Sequence, residues 1–178
     1  MHPQKRTMAV VNVVGGFAVL GSYAYGLLTN PHTRDGIWGG VPEAWKPYYT
    51  ASMLLATIGY LLFTYFVFFR VDAETARVAD QYDVRLFNAL YVAVLAPSAL
   101  WMPLTFAMID EPSEGLWFVI RVVLAVVGLG SVGFVYALLT LDQRHPAATY
   151  WLAVLGSIAF TFQTALLDAL VWPAYFPL

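Results

Sequence analysis

The sequence predicts an all-α integral membrane protein, a bundle of five transmembrane helices. Hydrophobic residues fill 60% of its 178 positions and charged residues only 11%, with a mean hydropathy of +0.68; soluble domains carry about a quarter charged residues. The chain divides into five apolar stretches, each near the ~20 residues that a bilayer crossing needs. The connections between them are too short for a second domain, so a single membrane domain over residues 1–178 is expected.

The first stretch, 8–28, follows a short polar start with Lys5 and Arg6; it is too long for a signal-peptide core and reads as a retained helix. Ala18, Ser22 and Gly26 recur in it at four-residue spacing, a row of small side chains that lets another helix approach closely. Residues 29–46 (TNPHTRDGIWGGVPEAWK) form a long Gly- and Pro-rich, lid-like loop that carries Trp38 and Trp45. The second helix, 47–69, opens on Pro47 at a favoured first-turn position and is rich in aromatic residues, Tyr48 and Tyr49 among them. Residues 70–84 read as a solvated connection in which AETARVADQ can form a short surface helix.

The third helix, 85–109, holds Pro97 and Pro103 on either side of Trp101, and each proline removes one intrahelical hydrogen bond and invites a kink. After the acidic turn 110–114, the fourth helix spans 116–141 with Arg121 inside it and small residues at Gly128, Gly130, Gly133 and Ala137. These small-residue rows suit either packing inside the bundle or a homodimer face. The fifth helix, 150–173, carries Gln163 and Asp168 at membrane depth. Asp168 precedes Trp172 by one helical turn, which puts acid and indole on one face.

Basic residues set the expected orientation. Lys5, Arg6, Arg70, Arg77, Arg85 and Arg144 share one side and only Arg34 and Lys46 the other, so the N-terminus is expected in the cytoplasm of a prokaryotic plasma membrane and the C-terminus outside. In that topology Arg121 lies ~9 Å below the start of its helix, and Asp168 lies ~6 Å before Trp172 on the neighbouring helix, at 1.5 Å per residue. A lone charge in hydrocarbon is costly, so the two are expected to pair. Asn12, Asn88 and Gln163 are expected to hydrogen-bond between helices.

Trp38, Trp45, Trp101, Trp117 and Trp172 map to the same outer half, leaving only Trp151 at the other face. An interfacial belt accounts for Trp117 and Trp151; Trp101, two turns from the end of its helix, points into the bundle. An aromatic-walled cavity beneath a lid would hold a flat apolar ligand. Other chemistry is sparse. The net charge of −2, without a basic patch, argues against nucleic acid; with no cysteine there is no disulfide, thiolate metal site or cysteine nucleophile. His2, His32 and His145 lie in termini or loops without a second ligand at useful spacing, and no nucleotide or phosphate fingerprint occurs, so the residues call for no cofactor.

The long Trp-bearing first loop, the Trp101-x-Pro103-x-x-Phe106 stretch and Leu167-Asp168 followed by Trp172 resemble the TspO/MBR family of translocator proteins, or tryptophan-rich sensory proteins. Ile58-Gly59-Tyr60 is a weaker echo, and Asp168 stands where the family pattern has asparagine. The resemblance implies a pocket among five helices, closed by the first loop, for porphyrins and other tetrapyrroles, a haem-type ligand included, or for sterol-like lipids. The candidate ligand-binding residues are Trp38, Trp45, Tyr48, Trp101, Pro103, Arg121, Phe160, Gln163, Asp168 and Trp172, with membrane lipids and one small apolar ligand as partners. Two rival readings come from other classes: a lipid isomerase in which Asp168 moves a proton inside an aromatic cage, and a structural or assembly subunit.

Overall fold

A computed structural model of the protein describes residues 2–176. It contains five helical spans long and apolar enough to cross a membrane. They are α1 (Pro3–Thr29), α2 (Lys46–Phe69), α3 (Arg85–Asp110), α4 (Glu114–Leu139) and a fifth span in three parts. That span begins as α5 (Ala147–Thr161), widens into a π-helix (Phe162–Val171) and closes with the short α6 (Trp172–Tyr175).

α1 starts five residues before the expected Met8, and its polar start is structural. Pro3 takes a first-turn position, and the His2 side chain accepts from the Gln4 amide at 3.3 Å. Lys5 is buried, and its Nζ donates to the carbonyls of Val67 at 2.5 Å and Phe68 at 2.6 Å. Those carbonyls belong to the last turn of α2, where backbone acceptors lack helical partners and the dipole favours a cation. Lys5 therefore caps α2 from α1. At the start of α4, Ser113 Oγ accepts from the Leu116 amide at 3.2 Å, with Glu114 in the first turn. α3 runs unbroken through both prolines.

The helices pack in the order α1, α3, α4, α5, α2. Small residues set the contacts. A β-carbon at Gly26 would lie 2.7 Å from Met102, one at Gly133 2.5 Å from Leu90, and one at Gly128 3.0 Å from Ala165. The α4 row is thus used inside the bundle, and of the α1 row Gly26 is, whereas Ala18 is exposed. The closest backbone approach is between Gly59 of α2 and Gly156 of α5, where each glycine faces the other's carbonyl. Polar contacts follow expectation at two sites: Tyr60 Oη donates to Asn12 Oδ1 at 2.5 Å, and Asn88 Nδ2 to Gln4 Oε1 at 2.9 Å.

The 70–84 connection departs from the solvated-loop reading. Val71, Ala76, Val78 and Val84 are buried, and the segment folds into turns stitched to the α4–α5 connection. The Val78 amide donates to Tyr82 O at 2.8 Å, the Ala79 amide to Thr140 O at 3.0 Å and the Asp142 amide to Arg77 O at 3.0 Å. Apolar residues at alternating positions in this run plug the bundle end. The turn passes through Ala79 and Asp80 at φ 49° and 57°.

Two cores result. Near this plugged end, Phe63, Phe66, Phe87, Tyr91 and Phe134 are fully buried, with Phe63 and Tyr91 each within 4.8 Å of Phe134 by ring centroid. The second core lies at the end that carries the first loop and gathers Tyr49, Met108, Trp117, Ile120, Leu124, Trp172 and Phe176. Outward faces of the spans are apolar, as at Val14, Phe17, Leu54, Phe118, Leu129 and Leu170, which suits contact with lipid tails.

Candidate functional site

The first loop is folded and fastened. It forms two 3₁₀ turns, Arg34–Trp38 and Glu43–Trp45, joined through Gly39 at φ 57°. Two hydrogen bonds tie it to the end of the fifth span: Trp172 Nε1 donates to Ile37 O at 2.9 Å, and the Gly40 amide donates to Tyr175 O at 2.7 Å. A β-carbon at Gly40 would sit 2.5 Å from that carbonyl oxygen, so the approach requires glycine.

Behind the loop the tryptophans converge. Trp172 packs with Trp101 at 5.8 Å, with Trp117 at 5.9 Å and with Phe176 at 4.9 Å between ring centroids, and Trp117 stacks on Phe176. Trp38 meets Tyr49 edge-on at 6.4 Å and carries Lys46 Nζ 5.7 Å from its ring; Glu43 pairs with that lysine at 2.5 Å. Trp117 is therefore a core residue and not part of an interfacial belt. Trp45 is half exposed at the rim against Tyr175, and Trp151 is exposed near the opposite end.

The polar part of the site comes from the π-helix. In an α-helix Gln163 and Asp168, five residues apart, would point about 140° apart around the axis. Where the backbone bonds i to i+5, they meet, and Gln163 Nε2 donates to Asp168 Oδ1 at 2.7 Å. Gln163 is 3% exposed, and its Oε1 has no hydrogen-bond partner among the described residues; neither has the buried Nε1 of Trp101. Tyr23 of α1 packs on Trp101 at 5.8 Å, and Tyr49 of α2 reaches the π-helix. Tyr49 Oη also donates to Leu167 O at 3.4 Å.

Beside this group an apolar cleft of about 330 Å³ opens between α2 and the π-helix, lined by Trp45, Tyr48, Tyr49, Ser52, Phe162 and Leu167. Tyr49 and Leu167 both line it, and Leu167 directly precedes Asp168 on the π-helix.

Several expectations need correction. Arg121 does not pair with Asp168: it is exposed on the outward face of α4, and the ion pairs among the described residues are Lys46–Glu43 and Arg85–Asp83. Equal depth placed the two charges at one level, but the Arg121 side chain stays exposed at the flank of α4 while the Gln163 amide takes Asp168 from within the same span. Gln163 bonds within its own span and not between helices. Pro103 is exposed on α3. Phe160 belongs to the other core, against Tyr60 and Phe63 at 5.8 and 5.7 Å. Trp101 and Trp172 meet behind the loop, Trp38 packs on Tyr49, Gln163 and Asp168 meet on the π-helix, and Trp45 and Tyr48 line the cleft.

Tyr23, Tyr49, Ser52, Phe162 and Leu167 complete the site and were not singled out from the sequence. Tyr23 was legible, because Val19, Tyr23 and Gly26 follow one helical face toward α3. The cleft wall from the π-helix was not, since α-helical spacing assigns those residues to other faces. No family model matches the sequence, and no curated protein or solved structure matches it either.

Proposed function

We propose that this chain is a ligand-binding membrane protein of translocator type, which takes a flat apolar molecule for transport or sensing. One observation carries the reading: an apolar cleft opens between α2 and the π-helix at the bundle end covered by a fastened loop, and Gln163, on the same π-helix as its lining residues Phe162 and Leu167, keeps a buried Oε1 without a partner among the described residues. Its volume falls at the small end of the ~300–1,000 Å³ typical of ligand sites, and its lining joins two aromatic rims to an apolar floor. A buried polar atom lacking a partner is costly, and a bound molecule that supplies one recovers that cost.

The TspO/MBR resemblance belongs to the same proposal. It is supported by five apolar spans, by a Trp-bearing first loop and by the gathering of Trp38, Trp101 and Trp172 at that loop's end. The tetrapyrrole and sterol-like classes follow from it. The excess of basic residues near the N-terminus and the second and fourth connections supports a cytoplasmic N-terminus, with the loop-covered site toward the outside of a prokaryotic plasma membrane.

The test is a titration of the purified protein in lipid nanodiscs with an alkyl porphyrin that lacks carboxylates, followed by tryptophan fluorescence. Saturable quenching is expected, with a reduced amplitude in Trp101→Phe. A fluorescence signal that changes no more than in empty nanodiscs, for both proteins, removes the reading.

A further inference from the structure

We propose that the polar end of the ligand is an organic cation, a protonated amine on an apolar body, held by the Asp168 carboxylate and Gln163 Oε1 among the rings of Tyr23, Tyr49, Trp101 and Trp172. This rests on the ligand-binding reading above and gives it a chemical class.

Among the described residues none supplies Asp168 with a cation. Of the basic side chains at the loop-covered end, Arg34 and Arg121 are exposed and Lys46 is engaged by Glu43. The carboxylate has one neutral partner, the Gln163 amide nitrogen, inside a membrane-length span where an uncompensated charge is costly. Gln163 spends its donor on that contact. Its carbonyl oxygen, buried and unpartnered, is the second acceptor beside the carboxylate. Two acceptors and a negative charge at one place ask for a group that carries several N–H donors and a positive charge. A hydroxyl offers one donor, and a ligand carboxylate would be repelled.

The surroundings fit the same chemistry. Trp101 and Trp172 lie 5.8 Å apart, Tyr23 packs on Trp101 at 5.8 Å, and Tyr49 Oη donates to the carbonyl of Leu167, the residue before the acid. Aromatic faces attract an ammonium, most strongly where water is scarce. The apolar cleft lined by Tyr49 and by Leu167, the residue before Asp168, would take the body of the molecule.

The test compares 1-pyrenemethylamine with 1-pyrenemethanol, which share a flat apolar body and differ in charge. Binding to the protein in phosphatidylcholine nanodiscs is read by energy transfer from tryptophan to pyrene, with empty nanodiscs as the blank. The expected result is at least roughly tenfold tighter binding of the amine, a ratio that falls to about one in Asp168→Asn and persists in Asp168→Glu. Circular dichroism and gel filtration establish that both variants are folded. Equal affinity of the wild type for the two probes, or a preference retained in Asp168→Asn, overturns the cation and leaves ligand binding in place. Binding of neither probe by the wild type overturns both.

Discussion

The indole of Trp172 joins two functions at one residue, since its ring packs among Trp101, Trp117 and Phe176 while its nitrogen holds Ile37 of the first loop. Trp172→Phe keeps a ring and removes the donor. It is expected to cost about 1 kcal/mol, the net worth of one hydrogen bond, and to speed amide exchange in residues 34–41; unchanged exchange there would separate the loop from Trp172. Asp72, on the exposed connection after α2, accepts from the Glu74 amide at 3.1 Å and from Thr75 Oγ1 at 2.9 Å, and these bonds hold its carboxyl below the usual carboxylate range. A group depressed in the folded state contributes stability that is present above its unfolded pKa and is lost as pH falls through the folded value. The plugged end should therefore weaken in acid below roughly pH 4, and Asp72→Asn should flatten that dependence in pH-resolved unfolding. Single residues were read unevenly from the sequence. Asp168 stood out because a carboxylate in an apolar span is rare, but its partner did not, because pairing by depth ignores the direction in which Arg121 points.

At the scale of elements, the spans were legible from their apolar runs, and the differences cluster where local geometry leaves the ideal α-helix. The π-helix from Phe162 to Val171 brings Gln163 to Asp168 and aims Phe162 and Leu167 into the cleft. A 3.6-residue period cannot show this, because π geometry leaves no compositional mark in the run FQTALLDALV. α1 was read short because Lys5 and Arg6 look like a solvated start, whereas Lys5 caps α2. The α2–α5 crossing was also hidden, since Gly59 and Gly156 matter for their position against each other rather than for a repeated spacing. Gly59→Ala should force α2 from α5 and cost ~1–3 kcal/mol, as overpacking does. Its melting temperature in detergent should fall below that of Gly16→Ala, a glycine with nothing within 4 Å of the added carbon. Equal melting temperatures would contradict the crossing.

For the whole molecule, the two ends of the bundle are built differently. The N-terminal end is closed by a stitched pair of connections over a Phe-rich core, and the loop-covered end gathers tryptophans around polar atoms beside an open cleft. The helix order α1, α3, α4, α5, α2 lets Tyr23 of α1 pack on Trp101 of α3 and Tyr49 of α2 bond to Leu167 of the π-helix. Fold class was legible, and so was the gathering of tryptophans at the loop-bearing end, because hydropathy and tryptophan position are one-dimensional signals. The cleft was not, since its walls meet only through tertiary packing of α2 on the π-helix. Filling the cleft is the direct way to establish whether it takes a flat apolar ligand. Absorbance titration of an alkyl porphyrin into nanodiscs carrying wild type or Ser52→Trp should give a saturable shift of the porphyrin band for the wild type and its loss when the tryptophan occupies the cleft. An equal saturable shift in both proteins, or none in the wild type, would contradict binding in the cleft.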